Sequence, residues 1–123
     1  MLVLIVDDNE KNRKLARDVL RAAGFQTIEA GSGAQAVALA GERRPDVVLM
    51  DLGLPDMGGD EAAVALRDQA QTAGIPVVAM SSSPLARRRG AVTTAGFAGY
   101  IEKPITVREF PDQVRRYCSG PPV

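Results

Sequence analysis

Short unbroken runs of apolar residues constrain the fold of this chain more than any other feature of its sequence. The clearest runs are Leu2–Val6, Asp46–Met50 and Ile75–Met80. Runs of this length without polar alternation are typical of strands that are covered on both faces, as in parallel sheets. Weaker strand candidates lie at Gln26–Ala30 and Ala98–Glu102.

Helical patterns separate these strand candidates. The first is an apolar stripe on one face of a predicted helix, which ends at Gly24. The stripe consists of Leu15, Ala16, Val19, Leu20 and Ala23. Capping residues or first-turn acids indicate four further helix starts, at Ser32, at Asp60–Glu61, at Ser83–Pro84 and at Thr106. Pro111 lies in the last helical pattern and should kink that helix or delay its start.

The alternation of strand and helix, five times, predicts an α/β fold with an open parallel sheet and helices on both faces. Right-handed crossovers and the length of 123 residues favour a doubly wound, five-stranded, flavodoxin-like sheet of order 2-1-3-4-5. We expect one domain over residues 1–118 and a disordered tail over 119–123, because the tail is short and rich in proline.

Composition narrows the functional classes. Lysine plus arginine balances aspartate plus glutamate at 15 each, so nothing global indicates a nucleic-acid binder. The chain has no histidine, which excludes a Ser-His-Asp triad, a histidine zinc ligand and a phosphohistidine within it. The sequence shows neither a long apolar span nor a basic signal-peptide start, and it has a single cysteine, so we expect a cytoplasmic location.

Polar groups follow the predicted strands at one edge of the sheet: Asp7 and Asp8, Asp51, Ser81 and Lys103. Ligands of such sheets bind beyond the carboxyl ends of the strands, where strands 1 and 3 diverge. Three carboxylates repel one another unless a cation joins them, and their hard oxygens suit Mg²⁺. An aspartate nucleophile, a metal and a lysine are what phosphoryl transfer requires. A lone aspartate or serine at a strand end is usually a helix cap or loop residue, and Lys-Pro alone is almost uninformative, so the prediction depends on the joint arrangement.

Four segments resemble the receiver domain of two-component response regulators: LIVDDN at 4–9, VVLMDLGLPDMGG at 47–59, PVVAMSS at 76–82 and GYIEKPI at 99–105. The resemblance covers the chain from Leu2 to about Tyr117 and is closest in character to stand-alone receivers. It implies the flavodoxin-like fold and a phosphorylation switch that assists its own phosphorylation and dephosphorylation without being a turnover enzyme.

The resemblance also implies site roles. Asp51 matches the phosphoacceptor, and Lys103 matches the lysine of the family's site. Asp7 and Asp8 match the acid pair that holds Mg²⁺ together with Asp51 and the backbone carbonyl of Gly53.

Three further positions match the family's switch and turn. Ser81 matches the switch hydroxyl, with the adjacent Ser82 as an alternative. Tyr100 matches the aromatic switch position, although a half-buried strand aromatic would explain it almost as well. Lys103–Pro104 matches a cis peptide bond of the family.

The implied partners are a histidine kinase or histidine phosphotransfer protein as donor and a downstream protein target. We expect no membrane contact, no direct nucleic-acid binding and a monomer or weak homodimer. The stretch from Pro84 to Ala95 is a poor helix that we expect to reorder on phosphorylation. The arginines 87–89 within it form either a solvated face or a docking patch.

Three other functions remain as alternatives. One is a receiver-like scaffold or interaction module that signals without phosphorylation. An aspartate phosphohydrolase is disfavoured by Gly53, which stands where such enzymes carry a second acid. A flavin-binding domain is disfavoured by acids where a phosphate-bearing cofactor needs donors.

Overall fold

A computed structural model describes residues 1–54, 56, 59–81 and 97–118 of the chain. Its elements run β1 (Leu2–Val6), α1 (Glu10–Ala22), β2 (Gln26–Ala30), α2 (Gly33–Arg43), β3 (Val47–Asp51), α3 (Gly59–Arg67), β4 (Val77–Ser81), β5 (Gly99–Glu102) and α4 (Phe110–Cys118). The predicted helix over 84–95 with its three arginines, the alternative switch residue Ser82 and the tail over 119–123 lie outside the described residues.

The five strands form one parallel sheet in the order β2-β1-β3-β4-β5, as predicted. Strands β1 and β3 are neighbours inside the sheet. After β1 the chain continues to β2 at one edge, and after β3 it continues to β4 and β5 toward the other edge. Register aligns Asp51 with Met80 and Ser81 with Glu102. The carboxyl ends of the central strands therefore share one edge, which carries the predicted site residues.

Apolar clusters cover both faces of the sheet, which confirms the prediction of helices on each side. Ile5 and Leu49 belong to the cluster that also contains Leu20 of α1 and Phe110 of α4. The other face carries a cluster that includes Leu4, Val6, Val48, Met50, Ala36 of α2 and Leu66 of α3. Burial of every second residue on each face explains why β1 and β3 lack polar alternation, and each large apolar side chain buried stabilises the fold by roughly 1.5–3 kcal/mol.

Capping residues fix the ends of the helices. The Asn9 side chain accepts the N–H of Lys11 at 2.9 Å and starts α1, and the Ser32 hydroxyl accepts the N–H of Gln35 at 3.2 Å and starts α2. Gly24 follows α1 with a φ of +96°, a backbone region that glycine adopts at little cost. Pro111 is the second residue of α4, where a helix needs no N–H donor, and α4 begins at Phe110, later than the start predicted at Thr106.

The starts of β3, β4 and β5 lie one or two residues later than predicted, and β3 and β4 each end one residue later than predicted. Asp46 lies just before β3, because its carboxylate accepts the N–H of Leu2 at 2.7 Å. Strand β4 begins at Val77, after a turn in which the N–H of Ile75 donates to the carbonyl of Thr72. Within the described residues, no helix is long and apolar enough to cross a membrane.

Candidate functional site

Asp7 follows β1 directly and is 5% exposed. Its N–H donates to the carbonyl of Ala30 at 3.1 Å, which extends the pairing of β1 with β2 by one residue. Its Oδ1 accepts the N–H of Asn9 at 2.9 Å, and its carbonyl accepts Nη1 of Arg13 at 2.6 Å. With Lys103 on Oδ2, all four polar groups of Asp7 have hydrogen-bond partners, so the residue is held in one orientation.

Asp51 is the last residue of β3, beside the point where Asp7 leaves β1. The N–H of Gly53 donates to its Oδ1 at 3.2 Å, so Gly53 lies directly against the carboxylate. Asp8 completes the cluster, because one ligand atom from each of Asp7, Asp8 and Asp51 lies within 4.8 Å of the other two.

Lys103 directly follows β5, an edge strand of the sheet, and its side chain extends to this cluster. Its Nζ lies 2.6 Å from Oδ2 of Asp7 and 3.4 Å from Oδ1 of Asp51. The N–H of Lys103 donates to the carbonyl of Ser81 at 3.0 Å, and the Lys103–Pro104 peptide bond is cis, as predicted. The hydrogen bond to Ser81 fixes the backbone from which the lysine side chain extends toward the acids.

The charges of the cluster do not balance. Burial raises the pKa of Asp51 above its usual value, and the neighbouring carboxylate of Asp7 adds to this effect. The N–H of Gly53 and the ammonium group of Lys103 lower the same pKa. Three acids face one lysine, and their close oxygens are hard ligands, so the residues present fit a divalent cation of the Mg²⁺ type.

Ser81 of β4 and Tyr100 of β5 are joined by a hydrogen bond on the neighbouring strands of the sheet. Ser81 ends β4 and is 9% exposed, and its carbonyl accepts the hydroxyl of Tyr100 at 2.6 Å. The same carbonyl accepts the N–H of Lys103, so one atom joins the serine, the tyrosine and the lysine. The structure thus brings all the predicted site residues to one edge of the sheet, with Tyr100 half-buried beside Ser81.

Comparison with known proteins agrees with this geometry. A family model described as the response regulator receiver domain matches residues 3–115. The chain belongs to this family. The polar-differentiation response regulator DivK of Brucella anthropi is 39% identical over 117 residues, which are 95% of each chain.

Solved structures resemble the receiver closely. The chemotaxis response regulator CheY4 of Vibrio cholerae is 28% identical with a TM-score of 0.87, over 94% of this chain and 97% of that one. The receiver domain of a sensor histidine kinase from Pseudomonas aeruginosa PAO1 is 29% identical with a TM-score of 0.88, over 97% and 98%. That protein has a magnesium ion coordinated in its active-site cleft. Receiver domains are signalling modules of two-component systems and are generally not turnover enzymes.

Two contacts of this receiver escaped the sequence analysis. Arg13 bonds the carbonyl of Asp7, although its place in the sequence suggests only a solvated helix position. Asp56 accepts the N–H groups of Gly33 and Ala34 at 2.9 and 3.0 Å, and so fastens the segment after β3 to the start of α2. A signal for Arg13 existed, because Asn9 starts α1 and places position 13 one turn inside the helix, next to the cap.

Proposed function

We propose that this receiver accepts a phosphoryl group on Asp51, in a Mg²⁺-dependent reaction, from a histidine kinase or a histidine phosphotransfer protein. Phosphorylation then changes its affinity for a downstream protein. The receiver assists its own phosphorylation and dephosphorylation and is not a turnover enzyme.

One observation supports this proposal above the others. The carboxylate of Asp51 lies at the carboxyl end of a central strand, 3.4 Å from the ammonium group of Lys103 and within 4.8 Å of two further acids. A single strand-end aspartate commonly caps a helix. A partly buried aspartate that shares a lysine with a second acid is an arrangement suited to phosphoryl transfer.

The nucleophile is one oxygen of Asp51. Within the described residues the bonds to this carboxylate go to Oδ1, from Gly53 and Lys103, so we assign the attack to Oδ2. An O–P bond forms from Oδ2, and the P–N bond to the donor histidine breaks. The imidazole nitrogen keeps the electron pair, and Asp51 becomes an acyl phosphate.

Lys103 stabilises the charge that the phosphoryl group brings. Its ammonium group already lies between Asp7 and Asp51, so a short movement of the side chain would bring it to a phosphoryl oxygen. Asp7, Asp8, Asp51 and the carbonyl of Gly53 would hold the metal. When bound, Mg²⁺ supplies positive charge to the transferring group and removes the repulsion among the acids.

Ser81 and Tyr100 would transmit the change. A phosphoryl group adds roughly 1.5 to 2 negative charges and accepts strong hydrogen bonds. The hydroxyl of Ser81 is the nearby donor on β4, and its movement would alter the backbone carbonyl that binds Tyr100 and Lys103. Such a shift would select one of two pre-existing conformations, to which a protein partner binds differently.

Intact-mass spectrometry after incubation with acetyl phosphate tests the proposal. We expect one added phosphoryl group with Mg²⁺, none in EDTA and none in Asp51→Asn. If the adduct hydrolyses too quickly to be seen, beryllofluoride should still bind the wild type and not the variant. A wild type that takes up neither ligand would refute phosphoryl transfer and favour the scaffold that signals without phosphorylation.

A further inference from the structure

Arg13 is the only described side chain whose hydrogen bond reaches the backbone carbonyl of Asp7. The bond is 2.6 Å long and joins a cation to a carbonyl at the point where β1 ends. Hydrogen bonds from charged donors are stronger than those between neutral groups. The peptide group that contains this carbonyl also contains the N–H of Asp8, so the bond fixes the link between the two acids.

The guanidinium group also pairs with Glu29 and passes close to the backbone of Gly31. Its Nε lies 3.4 Å from Glu29 of β2, and it passes over Gly31, where a Cβ atom would come within 3.3 Å of Nη1. The Arg13 side chain is 20% exposed. An arginine fixed in this way differs from an exposed surface ion pair, which typically contributes between 0 and about 1 kcal/mol.

We propose that Arg13 is a positioning residue for the acid pair: it sets the peptide plane between Asp7 and Asp8 and thereby the geometry in which they receive Mg²⁺. This inference rests on the proposed function. Asp7 already has a partner on each carboxylate oxygen, whereas Asp8 is exposed. Its position therefore depends strongly on the backbone that Arg13 holds.

Charge alone predicts the opposite effect. Arg13 is a cation beside three acids, so its removal would strengthen the attraction of the site for a divalent cation. If Arg13 positions the acids, its removal weakens Mg²⁺ binding despite this gain. The sign of the change therefore separates positioning from simple electrostatics.

Arg17 provides a matched control. It lies one turn further along α1 and pairs with the same Glu29 at 2.9 Å, and its side chain is 28% exposed. Its hydrogen bonds go to Glu29 and Asp18 rather than to Asp7. Arg13→Met and Arg17→Met thus remove the same charge and the same type of pair, and differ in the bond to the acid pair.

Calorimetric titration of Mg²⁺ into the metal-free proteins provides the test. We expect Arg13→Met to bind Mg²⁺ about tenfold more weakly than the wild type, the lower end of the range for residues that orient metal ligands. Arg17→Met should stay within about twofold of the wild type. Equal or tighter binding by Arg13→Met, or equal weakening in both variants, would overturn the inference.

Two further readouts accompany the titration. In the metal-free protein, the backbone amide NMR signal of Asp8 should shift in Arg13→Met and not in Arg17→Met; equal shifts in both variants would count against positioning.

The second readout is the rate of phosphorylation by acetyl phosphate. Arg13→Met should need about tenfold more Mg²⁺ to reach its half-maximal rate, and its maximal rate should approach that of the wild type. A wild type that binds no Mg²⁺ would overturn the inference together with the proposed function, whereas a normal wild type with an unchanged Arg13→Met would overturn the inference alone.

Discussion

Replacing Lys103 by methionine should reveal how much the acid cluster depends on one cation. The Nζ of Lys103 lies 2.6 Å from Asp7 and 3.4 Å from Asp51, and its side chain is only 16% exposed. Methionine keeps most of the side-chain volume and leaves the backbone bond to Ser81 in place. The variant therefore removes the charge with little change in packing.

The expected loss of stability follows from leaving two mostly buried carboxylates without their cation. Removing one partner of a buried pair typically costs about 3–5 kcal/mol. Protonation sets an upper limit for each carboxylate: holding one carboxyl group neutral at pH 7 costs about three pKa units, or roughly 4 kcal/mol. Because the site is partly open to water, we expect Lys103→Met to lower the free energy of unfolding by about 3 kcal/mol in EDTA.

Urea unfolding followed by circular dichroism measures this loss, at pH 7 and at pH 5. The loss should shrink at pH 5, because burial raises the pKa of Asp51 and removal of the lysine raises it further, so the folded state takes up a proton there and its stability rises as pH falls. Added Mg²⁺ should stabilise the variant more than it stabilises the wild type. A loss below about 1 kcal/mol, unchanged by pH and Mg²⁺, would refute the view that Lys103 neutralises the cluster.

Three other substitutions test separate features of the structure. Burial raises the pKa of Asp51, so the folded state holds its proton more tightly than the unfolded state, and stability falls as pH rises through that range. Asp51→Asn should therefore be more stable than the wild type in EDTA at pH 7, and the gain should diminish at pH 4; a constant gain at both pH values in urea unfolding would contradict this cause. Asp56→Ala removes an acceptor for two N–H groups at the start of α2, so we expect it to lower the free energy of unfolding by about 1 kcal/mol, with Asp56→Asn intermediate. Equal urea midpoints for Asp56→Ala and the wild type would show that the contact does not stabilise the fold. In Gly99→Ala the added methyl group would overlap the ring and hydroxyl of Tyr117. We therefore expect the free energy of unfolding to fall by about 1–3 kcal/mol and the tyrosine signal in near-ultraviolet circular dichroism to change. An unchanged spectrum would show that the ring does not pack against Gly99.

The sequence predicted the sheet well because local and global preferences agree there. Residues 3–6 of β1 and 47–50 of β3 are all apolar, and the structure buries them between the two faces of the sheet. Boundaries were less predictable. Asp46 lies outside β3 because its carboxylate accepts the N–H of Leu2, the first residue of β1. Leu2 is 44 residues away in sequence, so this contact is visible only in the folded structure.

The acid cluster was predictable for a related reason. Once three parallel strands are assigned, the residues at their carboxyl ends must meet, so Asp7, Asp51 and Ser81 follow from topology. Arg13 did have a local signal, its place one turn inside α1. Asp56 did not follow, because its contact with the start of α2 depends on the distance and angle between elements. Those quantities are set by packing and leave no periodic trace in the sequence.

The parallel arrangement of the sheet also governs how the chain can assemble during synthesis. Neighbouring strands join residues that are between 21 and 44 positions apart in sequence, as in the pairs Val78 with Gly99 and Val3 with Val47. At roughly 5–20 residues per second, a ribosome needs about 2 to 9 seconds to add the 44 residues from β1 to β3. Throughout that interval the apolar strand Leu2–Val6 lacks the central partner that later covers its edge. The N-terminal strand is therefore the segment of this receiver at which we expect chaperone contact with the nascent chain, and aggregation of truncated chains, to concentrate.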